Sequence, residues 1–151
     1  MAPFNIILAD DDRDDRFFFN LALRNLPFPT RLMTVNDGEA LMEYLLKNGD
    51  KLPEVLFLDL NMPKKNGVEC LSEIKRNAML KGLPVIIYST SVQRDIVDLL
   101  YEMGAQFYVR KCELSELTGV LQQILLLIKE RKDQPNRKNF ILNSESDSAT
   151  A

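Results

Sequence analysis

Asp10, Asp11 and Asp12 stand in a row directly after a short apolar run, and Asp59 closes another such run, Val55-Leu56-Phe57-Leu58. Carboxylates gathered in a partly buried site repel one another, and each raises the cost of ionising the next. A hard divalent cation relieves that repulsion. Mg2+ prefers oxygen ligands, keeps part of its water shell and often shares it with a phosphate. Lys111 and Ser89 also follow apolar runs and add an ammonium and a hydroxyl. No glycine-rich phosphate loop follows the first acids, the nearest glycine being Gly38, so a phosphate is acceptable there only beside a metal. Asp59 then reads as a carboxylate nucleophile toward phosphorus. Phosphoryl transfer needs in-line placement and neutralised oxygens more than covalent help; Mg2+ and Lys111 would supply the positive charge, and Ser89 a hydrogen bond to a phosphoryl oxygen.

Those residues converge only if particular elements carry them. Short runs rich in β-branched and aromatic residues, at 5–9, 31–35, 55–58, 85–88 and 106–109, predict five strands. Near-continuous apolar character in the first, third and fourth predicts strands covered on both faces, as in a parallel sheet. Between them lie amphipathic stretches. The first carries Phe17, Phe18, Leu21 and Leu26; the second starts at the N-cap Asp37 and stops at Gly49; the third spans about 67–77. The fourth carries Ile96, Leu99, Leu100 and Met103 and ends at Gly104, and the fifth runs from about Ser115 to Lys132. Strictly alternating strands and helices predict a doubly wound α/β fold with right-handed crossovers. In such sheets ligands bind beyond the carboxyl ends of the strands, where Asp10, Asp11, Asp59, Ser89 and Lys111 all fall.

The chain of 151 residues, 46% hydrophobic and 27% charged, suits one domain with a sizeable core. Its net charge of −3 speaks against direct nucleic-acid binding and against anionic membranes. No run is long and apolar enough for a signal peptide or a membrane span. There is no histidine, which excludes Ser-His-Asp and Cys-His catalysis and histidine-ligated metal, and requires any phosphohistidine donor to be another molecule. Cys70 and Cys112 lack metal-ligand spacing, and a reducing cytoplasm is the default compartment. Residues 4–132 read as the domain. Residues 133–151 read as a polar tail, either disordered or docked through Phe140, Ile141 and Leu142.

The constellation resembles the bacterial two-component response-regulator receiver family, in its single-domain, chemotaxis-receiver-like form. The matching residues are the pair Asp10-Asp11, Asp59 in Leu58-Asp59-Leu60-Asn61-Met62-Pro63, Gly67, Ser89 five positions after Pro84, and Lys111 after Gly104-Ala105-Gln106-Phe107-Tyr108-Val109-Arg110. The spacings from Asp59, 30 to Ser89 and 52 to Lys111, also fit. The resemblance covers about residues 4–130. It implies a five-stranded sheet in the flavodoxin-like order 2-1-3-4-5 with five helices. It also implies Asp59 as phosphoacceptor, Asp11 as direct metal ligand, Asp10 as a ligand often acting through water, and the Asn61 carbonyl as a further ligand. Lys111 would pair with the phosphoryl group, and Ser89 and Tyr108 would form a switch pair that alters the face of helix four, strand five and helix five. The implied donor is a sensor histidine kinase or a phosphotransfer protein. With no linker to an output domain in view, the output would be protein binding, homodimerisation or phosphate relay. One departure stands out: Cys112 follows Lys111 where the family usually has proline, often cis, so the loop is either trans and reshaped or strained.

Blander readings compete. Asp10 to Asp12 could be a helix-start cluster, Asp59 a turn former, Lys111 a solvated lysine and Tyr108 a half-buried strand aromatic. As a whole, the chain could be a Mg-dependent phosphatase or phosphotransferase using an aspartyl phosphate, although haloacid-dehalogenase-type enzymes place an acid where Asn61 stands. It could also be a degenerate module that is never phosphorylated.

Overall fold

The computed structural model describes residues 2–130 and 133–142. The elements run β1 Phe4–Ala9, α1 Arg13–Arg24, β2 Thr30–Val35, α2 Gly38–Lys47, β3 Val55–Leu58, α3 Gly67–Arg76, β4 Val85–Ser89, α4 Arg94–Glu102, β5 Phe107–Arg110 and α5 Leu114–Glu130. A 3-10 turn, Arg137–Asn139, and a short β6, Ile141–Leu142, follow. All strand pairs are parallel, in the order β2-β1-β3-β4-β5-β6. The expected five-strand order is therefore present, with one strand added at its β5 edge. The expected end of the last helix at Lys132, and residues 143–151 of the expected tail, lie outside the described residues.

The strand period of two assigns each side chain to one of two cores. Ile7, Leu56, Leu58, Val85 and Ile87 pack under α2, α3 and α4. Ile6, Leu8, Val55, Phe57 and Ile86 pack under α1 and α5. All of β3 and β4 is buried, as a parallel sheet covered on both faces requires.

Local signals end the elements. Asp12, Asp37 and Asn66 cap α1, α2 and α3 through their side chains, Asn66 in a reciprocal capping box with Glu69. Gly104 adopts φ +98, which stops α4 and turns the chain into β5. At Gly67 the need is space: a Cβ there would sit 2.4 Å from the Asp59 carbonyl oxygen. Bare backbone at the start of α3 lets the loop after β3 fold close, and the Gly67 N–H donates to the Leu60 carbonyl at 2.9 Å.

The sixth strand corrects the five-strand expectation and decides between the two readings of the tail for residues 133–142. Strand β5 would otherwise present unpaired backbone groups at a sheet edge. The Tyr108 N–H donates to the Phe140 carbonyl at 2.9 Å, and Phe140, 0% exposed, packs edge-on against Tyr101 and Tyr108. Tyr101 Oη donates to the Pro135 carbonyl, Gln134 to the Tyr101 and Ala105 carbonyls, and Arg137 pairs with Asp98. The buried aromatic offsets the ordering of a polar segment that composition alone reads as loose.

Candidate functional site

Neighbouring parallel strands bring the acids together. Ala9 of β1 lies beside Leu58 of β3, so the next residues, Asp10 and Asp59, leave the sheet side by side, and the Asp59 N–H donates to the Ala9 carbonyl at 2.9 Å. Carboxylate oxygens of Asp10, Asp11 and Asp59 all lie within 4.8 Å of one another. Asp10 is 0% exposed and Asp59 5%, whereas Asp11 faces solvent at the mouth.

The acidic triplet divides its labour. Asp12 Oδ1 accepts from the Asp15 N–H at 2.9 Å and caps α1, so the helix-start reading holds for that residue. Asp10 and Asp11 turn into the pocket, with Asp10 Oδ1 accepting from the Asp12 N–H at 2.9 Å. Arg16 donates to the Asp10 carbonyl at 2.8 Å and steadies the turn.

Lys111 enters from the end of β5, tied to β4 by its N–H to the Ser89 carbonyl at 2.8 Å. It is a buried ammonium rather than a solvated one: its side chain is 10% exposed, and Nζ lies 2.8 Å from Asp10 Oδ2 and 3.7 Å from Asp59 Oδ1. A third carboxylate, Asp15 of α1, also sits 2.8 Å from Nζ and accepts its directed hydrogen bond. Sequence reading missed Asp15, because it is one acid among several and only the phase of α1 aims it at Lys111.

Burial pushes the Asp59 carboxyl up to about 6; Lys111 opposes the rise, while the Asp10 and Asp11 charges add to it and an Asn61 N–H bond counters it. Burial also raises Asp10, against the Lys111 contact and the Asp12 N–H. Burial lowers Lys111, but contacts with Asp10 and Asp15 and the charge of Asp59 outweigh it, so its pKa stands above the ordinary lysine value.

The site accommodates a divalent cation. Its donors are all oxygens, as a hard ion prefers. Asp10 Oδ2 is fully buried, and its charge faces the Lys111 ammonium at 2.8 Å. Three carboxylates face one ammonium here, so a cation would remove a charge surplus.

The hydroxyl residues also converge. Ser89, buried at the end of β4, accepts at Oγ from the Ser91 N–H at 3.5 Å. Tyr108 is buried rather than half-buried, its ring turned inward and its hydroxyl donating to the Ser91 carbonyl. Asn61 stands exposed beyond Asp59. The Lys111–Cys112 bond is trans, there being no cis peptide among the described residues. Of the two readings of that loop, trans is the one present. Burial raises the Cys112 thiol, which is no activated nucleophile.

Comparison with known proteins agrees with this geometry. The family described as "Response regulator receiver domain" matches residues 6–122. "Response regulator Rcp1" of Synechocystis is 35% identical over 127 residues, covering 81% of this chain and 86% of that protein. The phosphorylated cyanobacterial phytochrome response regulator RcpA superposes with a TM-score of 0.76 at 34% identity, covering 85% of this chain and 95% of that one. The Mn2+-bound form of Rcp1 gives 0.75 at 33% identity, covering 88% and 99%. With the acids, the lysine and the hydroxyl assembled at the carboxyl edge of a parallel sheet, the chain belongs to the response regulator receiver domain family, whose work is phosphorelay signalling.

Proposed function

We propose that this receiver accepts a phosphoryl group on Asp59 from a phosphohistidine of a sensor histidine kinase or phosphotransfer protein. The observation that supports it most is the clustering of the Asp10, Asp11 and Asp59 oxygens within 4.8 Å beside a buried ammonium. An Asp59 carboxylate oxygen forms the new bond to phosphorus while the donor's P–N bond breaks, and the imidazole leaves with the electron pair and takes a proton from solvent. Asp10, Asp11, Asp59 and the Asn61 carbonyl would hold Mg2+, which when bound neutralises the carboxylates and the phosphoryl oxygens. Lys111 pairs with one phosphoryl oxygen and Ser89 donates to another. No side chain of the pocket need act as a general base, since a carboxylate with a folded pKa of about 6 is ionised at neutral pH.

Residues 4–132 would form the receiver, at work in a reducing cytoplasm. That compartment suits the free thiols of Cys70 and Cys112, and no described helix is long and apolar enough to cross a membrane. Ser89 and Tyr108 would couple the site to a protein target: both bond to Ser91, so when Ser89 turns to the phosphoryl group that link is disturbed and the surface around α4 and β5 changes. A module that is never phosphorylated would have no use for a lysine buried among three carboxylates. Incubation with a phosphohistidine donor and Mg2+ tests the proposal. Acid-labile, hydroxylamine-sensitive label on the wild type and none on Asp59→Asn is expected; equal labelling of both contradicts it.

A further inference from the structure

Asp15 is not among the acids that can hold a metal together, yet it takes the one directed hydrogen bond of Lys111 to a carboxylate. Nζ lies 2.8 Å from Asp15 on the rim side, 2.8 Å from Asp10 on the floor of the pocket, and 3.7 Å from Asp59, the residue it must serve. The Asp15 side chain is 33% exposed and sits in the first turn of α1, whose backbone the Asp12 cap fixes. Its carboxylate therefore draws the ammonium toward α1 and the pocket rim. Charge counting agrees: a divalent cation and Lys111 balance Asp10, Asp11 and Asp59, and Asp15 exceeds that balance.

Resting on the reading of Asp59 as phosphoacceptor, we propose that Asp15 is a positioning residue acting through Lys111: it holds the ammonium off Asp59, and an arriving phosphoryl group must draw the lysine away from it. Acceptance then includes exchange of one anionic partner of Lys111 for another. Loss of the phosphoryl group does not, because there the lysine is already on the phosphoryl oxygens in both the phosphorylated state and the transition state. The two rates should thus respond differently to Asp15.

The full chain with Mg2+ and acetyl phosphate tests this, with Asp59 attacking phosphorus and acetate leaving with the P–O electron pair. Phosphorylation is read by phosphate-affinity electrophoresis over a range of donor concentrations, and decay after donor removal. Asp15→Asn is expected to speed acceptance by about 3- to 10-fold, the worth of one partly exposed charged hydrogen bond, and to leave decay within about 2-fold. Asp15→Glu, which keeps the charge, should restore much of the wild-type rate. In a Lys111→Met background, Asp15→Asn should have no effect on acceptance. Unchanged or slower acceptance in Asp15→Asn, or the same acceleration without Lys111, overturns the proposal. Wild type that takes no phosphoryl group from any donor overturns instead the assignment of Asp59 on which it rests.

Discussion

At the carboxyl ends of β1 and β3, buried acids crowd one ammonium; along β5, at the edge of the same sheet, Phe140 and a two-residue strand close a gap with apolar contact and backbone pairing. The first region stores unfavourable charge, visible in the raised Asp10 and Asp59 carboxyls. The second removes an unpaired edge and buries an aromatic ring. The site end is thus organised for what it will bind and the edge for what it already holds, and Tyr108 reaches toward both, through the Ser91 carbonyl and through Phe140.

Substitutions should separate the two regions. Asp59→Asn is expected to abolish acyl phosphate formation entirely while sparing the fold, read by labelling and by thermal unfolding. Lys111→Met leaves Asp10 buried without its cation, and loss of one partner of such a pair costs about 3–5 kcal/mol; chemical denaturation should show it, with slower phosphorylation alongside. Phe140→Ala opens a cavity beside Tyr101 and Tyr108 and should cost roughly 3–4 kcal/mol, while phosphorylation at saturating donor stays close to wild type. If it instead fell as far as in Lys111→Met, edge and site would not be separable. Asp12→Ala should cost only about 1 kcal/mol through its cap and leave phosphorylation intact, which checks the division within the acidic triplet.

Much of this architecture was legible in the sequence because buried parallel strands announce themselves. All five expected strands are present to within a residue or two, and the carboxylates of Asp10, Asp11 and Asp59 lie together at their ends, with Lys111 close to Asp10 and Asp59. What escaped depended on helix phase or on the return of a distant segment. Asp15 differs from Asp14 only in the direction α1 gives it, and nothing in the row Asp10-Asp11-Asp12 marks the third acid as the cap. Strand β6 escaped because two apolar residues after Phe140 are too few for a period, and their pairing depends on an edge that another part of the chain creates. The Lys111–Cys112 bond is trans; the resemblance led one to expect proline there, so Cys112 was visible beforehand as a departure but its conformation was not.

The central claim is that the buried acids are held at a cost that a divalent cation relieves. Asp59 has a folded pKa of about 6, above the ordinary 3.8, so folding tightens its proton. That contribution is fully present below about pH 4 and lost as pH rises through about 6, on the order of 2–3 kcal/mol. Thermal unfolding of wild type and Asp59→Asn at neutral pH, in chelator and then in Mg2+, measures it directly. In chelator the Asn variant should be the more stable; with Mg2+ the wild type should gain markedly more than the variant and close the gap. Equal stability in chelator, or an equal response of both proteins to Mg2+, would contradict the account.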